Sequence, residues 1–147
     1  MHEKNRRNMK KLSNIINTKA YMEKFKGYHV PNYTQTPNEI FDKFLSYLSH
    51  AELKVLLYIV RRTFGFHKEY KGDAISLSQI CKGIIKKDKE TGETRVFDEG
   101  TGLSKKSAIL AIKNLEGKGH IIVWRGRITK AGDKDSNWYR LNLKTEK

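Results

Sequence analysis

The side chains best suited to chemistry lie close together in the last third of the 147-residue sequence, and the chemistry they suit is the binding of a polyanion. At about 100° per residue, a helix from Ser104 to Glu116 gathers Lys106, Ser107, Leu110, Lys113 and Asn114 on one face. Lysine ammoniums neutralise phosphates, and Ser and Asn suit phosphates and the base edges of a major groove. Lys105 stands at the helix N-terminus, where free backbone amides also face an anion. Arg125, Arg127 and Lys130 follow in a basic connection between two candidate strands. Charge on a helix is ordinarily just a solvated face, so the weight rests on having two cationic groups close behind one another. Leu110 is the awkward member. It would touch a thymine methyl, pack under a neighbouring element, or mark a protein interface.

Other chemistry finds little support. His2, His29, His50, His67 and His120 show no ligand spacing with Cys81 or with one another, so a structural zinc site is not expected. Cys81 falls on a helix facing the core with no His partner, which suits an inert buried thiol. Gly100 and Gly102 precede no Gly-Lys-Ser or Gly-Lys-Thr, so no phosphate-cradling loop is present. Asp98 and Glu99 are adjacent in an expected hairpin and are read as solvated. With no acid–base pair identifiable, the chain is expected to be neither an enzyme nor a cofactor binder. Trp124 and Trp138 could stack on single-stranded bases, but their places on two neighbouring strands favour packing across the strand pair.

The elements that must position these groups read in order. Thr36-Pro37-Asn38-Glu39 offers a capping box and a proline at the first helical position. Ile40, Phe41, Phe44, Leu45 and Leu48 then form an apolar face. Ser49-His50-Ala51-Glu52 opens a second helix, apolar almost all round from Leu53 to Val60 and so placed in mid-core. Arg61 and Arg62 suit its C-terminal dipole, and Gly65 is expected to end it. Phe41, Phe44, Tyr47, Tyr58, Phe64 and Phe66 are read as core aromatics.

Asp73-Ala74-Ile75 reads as a short strand, and Ser76-Leu77-Ser78-Gln79 caps a short helix. A helix-turn-helix would turn at once, but residues 84–100 intervene as an inserted β-hairpin turning at Thr91-Gly92. The helix capped by Ser104 follows, stopped by Gly117 and Gly119. A wing at 120–143 pairs His120–Trp124 with Ser136–Leu141. The expected fold is α+β and mostly helical: a winged helix-turn-helix at 36–147 behind a basic N-terminal extension at 1–35. In that extension Met9, Leu12 and Ile16 recur at helical spacing. One thin stripe rarely holds a helix alone, so a frayed tail, a phosphate-contacting arm and a partner-contacting helix all stay open.

Composition agrees with a polyanion partner. Thirty Lys and Arg against sixteen Asp and Glu give a formal charge of +14, which concentrates counter-ions and favours nucleic acid. A single cysteine excludes an intramolecular disulfide framework and fits a reducing cytoplasm. No apolar run approaches the roughly 20 residues needed to span a membrane.

Several strings are similar to the N-terminal domain of the phage replication protein O family. They are Tyr33-Thr34-Gln35-Thr36-Pro37-Asn38-Glu39-Ile40-Phe41-Asp42, the run from Glu52 to Lys68, Ala74–Ile80, Gly100–Ser104 and Leu115–Gly119. The resemblance covers roughly residues 31–125 in order. It implies a winged helix that binds origin repeats in double-stranded DNA and helps deliver a replicative helicase, directly or through its loader, in a bacterial cytoplasm. Family members continue into a C-terminal region that engages the helicase or loader, whereas this chain stops at Lys147. It is therefore expected to be a piece of a longer protein or a stand-alone domain with another output.

Three function classes follow: a duplex-DNA binder in replication initiation, a transcriptional regulator on the same fold, or a protein-interaction module acting as inhibitor or adaptor. A homodimer fits any of them. The charge makes one prediction common to the first two. Duplex affinity should fall steeply with salt, because each neutralised phosphate releases condensed counter-ion. A salt titration by fluorescence anisotropy checks this, and an affinity flat from low to moderate salt refutes it.

Overall fold

The computed structural model describes residues 23–126 and 136–144. The chain divides into two compact units, Met1–Asn32 and Tyr33–Lys147. The described part of the first unit holds no helix or strand; its Phe25 and Tyr28 rings lie 4.7 Å apart and both are exposed. The helix considered around Met9, Leu12 and Ile16 lies outside the described residues.

The second unit is α+β. A π-helical turn at Ile40–Phe44 precedes α1 (His50–Thr63) and a 3-10 turn at Phe64–Phe66. Then come β1 (Asp73–Ile75), α2 (Leu77–Lys82), β2 (Ile84–Lys87), β3 (Thr94–Asp98), α3 (Lys105–Gly117), β4 (Ile121–Trp124) and β5 (Asn137–Leu141). Strands β1, β5 and β4 form one antiparallel sheet in that order, and β2 and β3 a separate hairpin. Helix accounts for 38% of the described residues, so the expectation of a mostly helical chain is corrected: two sheets take up segments that are too short to be more than strands.

Serines start α1, α2 and α3. Ser49 accepts from the Glu52 amide and Ser76 from the Gln79 amide, each at 3.1 Å, and Glu52 and Gln79 close both capping boxes. Ser104 accepts from the Ser107 amide at 3.2 Å. Each satisfies a backbone donor that would otherwise be orphaned, worth about 1 kcal/mol. Thr36 departs from expectation. Its hydroxyl donates to the Thr34 carbonyl, and the turn after Pro37 is π-helical with no side-chain cap. Gly65 does not end α1 either; the left-handed residue is His67, at φ 56°.

Helix α1 runs through the core as its apolar sequence demands. Val55, Leu56, Ile59 and Val60 are buried, against Ile75, Ile80, Ala108, Leu115 and Ile121. The aromatic cluster is only partly there. Tyr58 is buried and Phe44 and Phe64 pack on the core, but Phe41, Tyr47 and Phe66 are more than half exposed. The π-helical turn presents too few positions inward to bury them all.

The polar centre of the unit is Arg62, on the last turn of α1. Its Nε donates to Asp73 at 3.0 Å, its Nη1 to Tyr58 and Gln79, and its Nη2 to the Ala74 carbonyl at 3.3 Å. Burying a guanidinium is costly unless its donors are occupied and its charge is countered. Here β1 and α2 supply the acceptors. Tyr58 extends the network by donating to Asp98 at 3.1 Å, and Asp98 also accepts from the Gly100 amide at 2.9 Å. Asp98 is thus an anchor for the hairpin rather than a solvated carboxylate.

The hairpin leaves and rejoins the chain at one point. Gly83, at φ 84°, sits so close to Asp98 and Gly100 that a Cβ would overlap their backbone. Thr101 donates twice to the Ile80 carbonyl and the Gly102 amide donates to that of Cys81. These bonds clip the approach to α3 onto the end of α2, as an uninterrupted turn would.

Replacing Tyr58 with Phe keeps the ring while removing the acceptor for Arg62 and the donor to Asp98. Such a loss should destabilise the domain by about 1–3 kcal/mol in urea unfolding. A change within about 0.5 kcal/mol, the range of inconsequential surface substitutions, would show that the network carries no net stability.

Candidate nucleic-acid interface

Helix α3 divides along its length as the sequence pattern requires. Ala108, Ala111, Ile112 and Leu115 are buried, and the two alanines let the helix lie close to α1. Lys105, Lys106, Ser107, Leu110, Lys113 and Asn114 are all exposed, so six expected site residues share one surface. Gly119, at φ 82°, ends the helix: its amide donates to the Glu116 carbonyl and that of His120 to Leu115.

Leu110 is 58% exposed, so nothing among the described residues covers it. Ile109 beside it is 50% exposed, a second apolar group that the sequence reading passed over. In the structure it lines an open groove with Leu77, Lys113, Asn137 and Tyr139, between α3 and the neighbouring sheet. Ser107 is partly engaged, since its hydroxyl accepts from that of Ser104 at 3.0 Å.

The strands of the expected wing pair as expected, in register from Ile121↔Leu141 to Trp124↔Trp138. Arg125, just beyond β4, does not stand free. It makes a two-pronged ion pair with Glu116 of α3, at 3.0 and 3.2 Å, which raises its already high pKa. Arg125 is exposed and Glu116 partly so, so the pair is worth little to stability, but it ties the end of β4 to α3. Arg127 and Lys130 lie outside the described residues.

A second ion pair fixes the far end of α3. Lys118 donates to the buried Glu52 at 2.6 Å, and that hydrogen bond holds the Glu52 carboxyl below its ordinary range against the opposing effect of burial. Burial and the neighbouring Lys118 push His120 down, and its ring stacks edge-on against Phe44 at 4.5 Å.

The hairpin adds cations that the sequence reading did not assign. Lys86 and Arg95 pair across it, and each places its charge 5.2 Å from the exposed Phe97 ring. Its turn is built by Asp88, which accepts from the Glu90 amide at 2.8 Å, an interaction that lowers the carboxyl pKa. Cys81 is buried, in keeping with an inert thiol. Among the described residues no three His, Cys, Asp or Glu gather to hold a metal, and no helix is long and apolar enough to cross a membrane.

What this surface can do is dock on a phosphate backbone and present Asn114 and Leu110, one turn apart, to base edges. Asn114→Ala should therefore cost about 1–3 kcal/mol at one base position and relax preference there. Lys113→Ala should weaken all duplexes alike and reduce the salt slope by about one. Competition binding against single-base variants of a bound site checks both. The reverse pattern would show that another element reads the bases.

Comparison with curated proteins and with solved structures returned no match. A family model described as bacteriophage replication protein O matches residues 31–138. That span runs from just before the π-helical turn into β5, and so takes in α1, α2, the hairpin, α3 and β4. The chain belongs to the bacteriophage replication protein O family.

Proposed function

We propose that the chain is a non-enzymatic winged helix-turn-helix module that recognises a specific double-stranded DNA sequence at a phage replication origin. The observation that carries this reading is the exposed face of α3, where three lysines surround Ser107, Leu110 and Asn114. Helices α2 and α3 form the helix-turn-helix, with the hairpin set into its turn, and β4–β5 the wing. Lysines at both ends of the face fix the register on the backbone, and Asn114 pairs with an adenine through its two-sided amide.

Membership of a phage replication family favours an origin over a promoter as the target. A replicative helicase or its loader is then the protein partner to which the bound complex leads, in the cytoplasm of the bacterial host. Homodimerisation is compatible with repeated half-sites.

The adjacent apolar pair Ile109 and Leu110 supports one second reading, in which α3 docks on a protein. Footprinting on the DNA of the phage separates the two. Protection of iterated repeats inside an origin is expected. A promoter operator would point to a regulator, and no protection at all would favour the protein partner.

Leu110 sharpens the test. Leu110→Ala should weaken binding to the preferred site by about 1.5–3 kcal/mol if the side chain is fully covered. Replacing one thymine by uracil should cost a similar amount, with no further loss in the double change. DNA binding untouched by both changes would remove Leu110 from the interface.

A further inference from the structure

The chain has two tryptophans, Trp124 and Trp138. Their strand positions led to the expectation that they pack against each other across β4 and β5. They do face each other in the register, yet they remain 47% and 39% exposed. Alternation along the strands explains where they point. Ile121, Val123, Tyr139 and Leu141 turn to the core, which leaves Ile122, Trp124, Trp138 and Arg140 on the outer face. In β1, Ala74 is the residue paired with Trp138.

We infer that this outer sheet face is a stacking platform for unpaired bases of single-stranded DNA. Ala74, Trp138 and Trp124 make a row across all three strands, and the short alanine leaves the edge of the row open. The Arg140 guanidinium lies over the Trp124 ring, 5.5 Å from its centroid, so it covers part of one indole face and offers a cation to the phosphate of a base stacked alongside on Trp138. Asp73 is the one acid in the three strands, and it points inward to Arg62. Within the three strands the outer face therefore carries the Arg140 charge and no carboxylate.

Three occupants compete for such a face. Bases within a duplex have both ring faces covered by their neighbours, so a duplex offers nothing to stack on the indoles. A second copy of this chain would bring another +14 charge to a cationic face. An unpaired strand offers open ring faces and phosphates together, the combination that aromatic and cationic groups bind in single-strand grooves. The choice of DNA over RNA rests on the function proposed above; the stacking itself does not. The platform is on the side of the sheet opposite Tyr139, which lines the groove against α3, so its variants can be scored on single strands and on duplex separately.

Tryptophan emission reports directly on this face, because both indoles of the chain are on it. Titrating the full chain with a short oligothymidylate should quench that emission saturably. Trp124→Ala and Trp138→Ala should each weaken oligothymidylate binding by about tenfold, followed by anisotropy of a labelled strand. Trp→Tyr at either position should restore most of the loss. Arg140→Gln, which leaves both rings in place, should weaken the binding as well, and every variant should lose more affinity for oligothymidylate than for a duplex site.

An absence of quenching overturns the inference. So does an equal loss of single-strand and duplex binding in folded variants, which would make the face part of the duplex surface. Oligouridylate bound more tightly than oligothymidylate overturns the assignment to DNA, and an emission change with protein concentration alone assigns the face to self-association. Failure of the duplex proposal is distinguishable, because Asn114→Ala then leaves duplex binding unchanged while oligothymidylate still quenches.

Discussion

Arg62 holds one guanidinium in a place where water cannot solvate it, and much of the second unit is arranged around satisfying it. Its charge is met by Asp73 at the start of β1, and its remaining donors by Tyr58, Gln79 and the Ala74 carbonyl. Removing any acceptor would leave a buried charge short of partners, which costs far more than the net gain of an ordinary hydrogen bond. The consequence is geometric. The network joins the end of α1, the edge of the three-stranded sheet and the first turn of α2, and through Tyr58 it reaches Asp98 at the root of the hairpin.

That arrangement lets an insertion sit between α2 and α3 without displacing the helix that follows it. Gly83 and Gly100 bring the two roots of the hairpin into contact, and Thr101 and Gly102 bind back to the carbonyls ending α2. The step from α2 to α3 is therefore set by these local bonds, and the fifteen residues of Ile84–Asp98 stand outside it. Helix α3 is held at its start by Ser104, along its length by Ala108, Ala111, Ile112 and Leu115, and near its end by Glu116–Arg125 and by the neighbouring Lys118–Glu52. Its outward face stays exposed, and beside it Ile109 borders the open groove toward the sheet.

Electrostatics in this molecule divides by depth. Among the described residues Arg62 is matched with Asp73 and Glu52 with Lys118, while one carboxylate oxygen of Glu69 is buried without a hydrogen-bond partner. The excess positive charge lies on surfaces, where water lowers the cost of holding lysines together and salt screens them. A polyanion that displaces those counter-ions gains from the same excess. The buried pairs thus serve the fold, while the exposed cations of α3 and the hairpin are available for binding.

What the sequence determined by itself was local. Ser49-x-x-Glu52, Ser76-x-x-Gln79 and Ser104 fixed the helix starts, because a cap and its amide are three residues apart in any context. The helical period placed Lys106, Ser107, Leu110, Lys113 and Asn114 on one face, and alternation marked both β pairs. The family was legible too, from long strings of residues within the matched span. Tertiary structure decided whatever depended on distant partners. Arg62 finds Asp73 eleven residues away, Tyr58 finds Asp98 forty away, and Lys118 finds Glu52 sixty-six away. No local pattern encodes those pairings, so Asp98 looked solvated and Arg62 looked like a helix-end charge. The same reason applies to Arg125, expected to face DNA and found against Glu116, and to Trp124 and Trp138. Periodicity tells which side of a strand a residue takes, but only packing tells whether anything lies there to cover it.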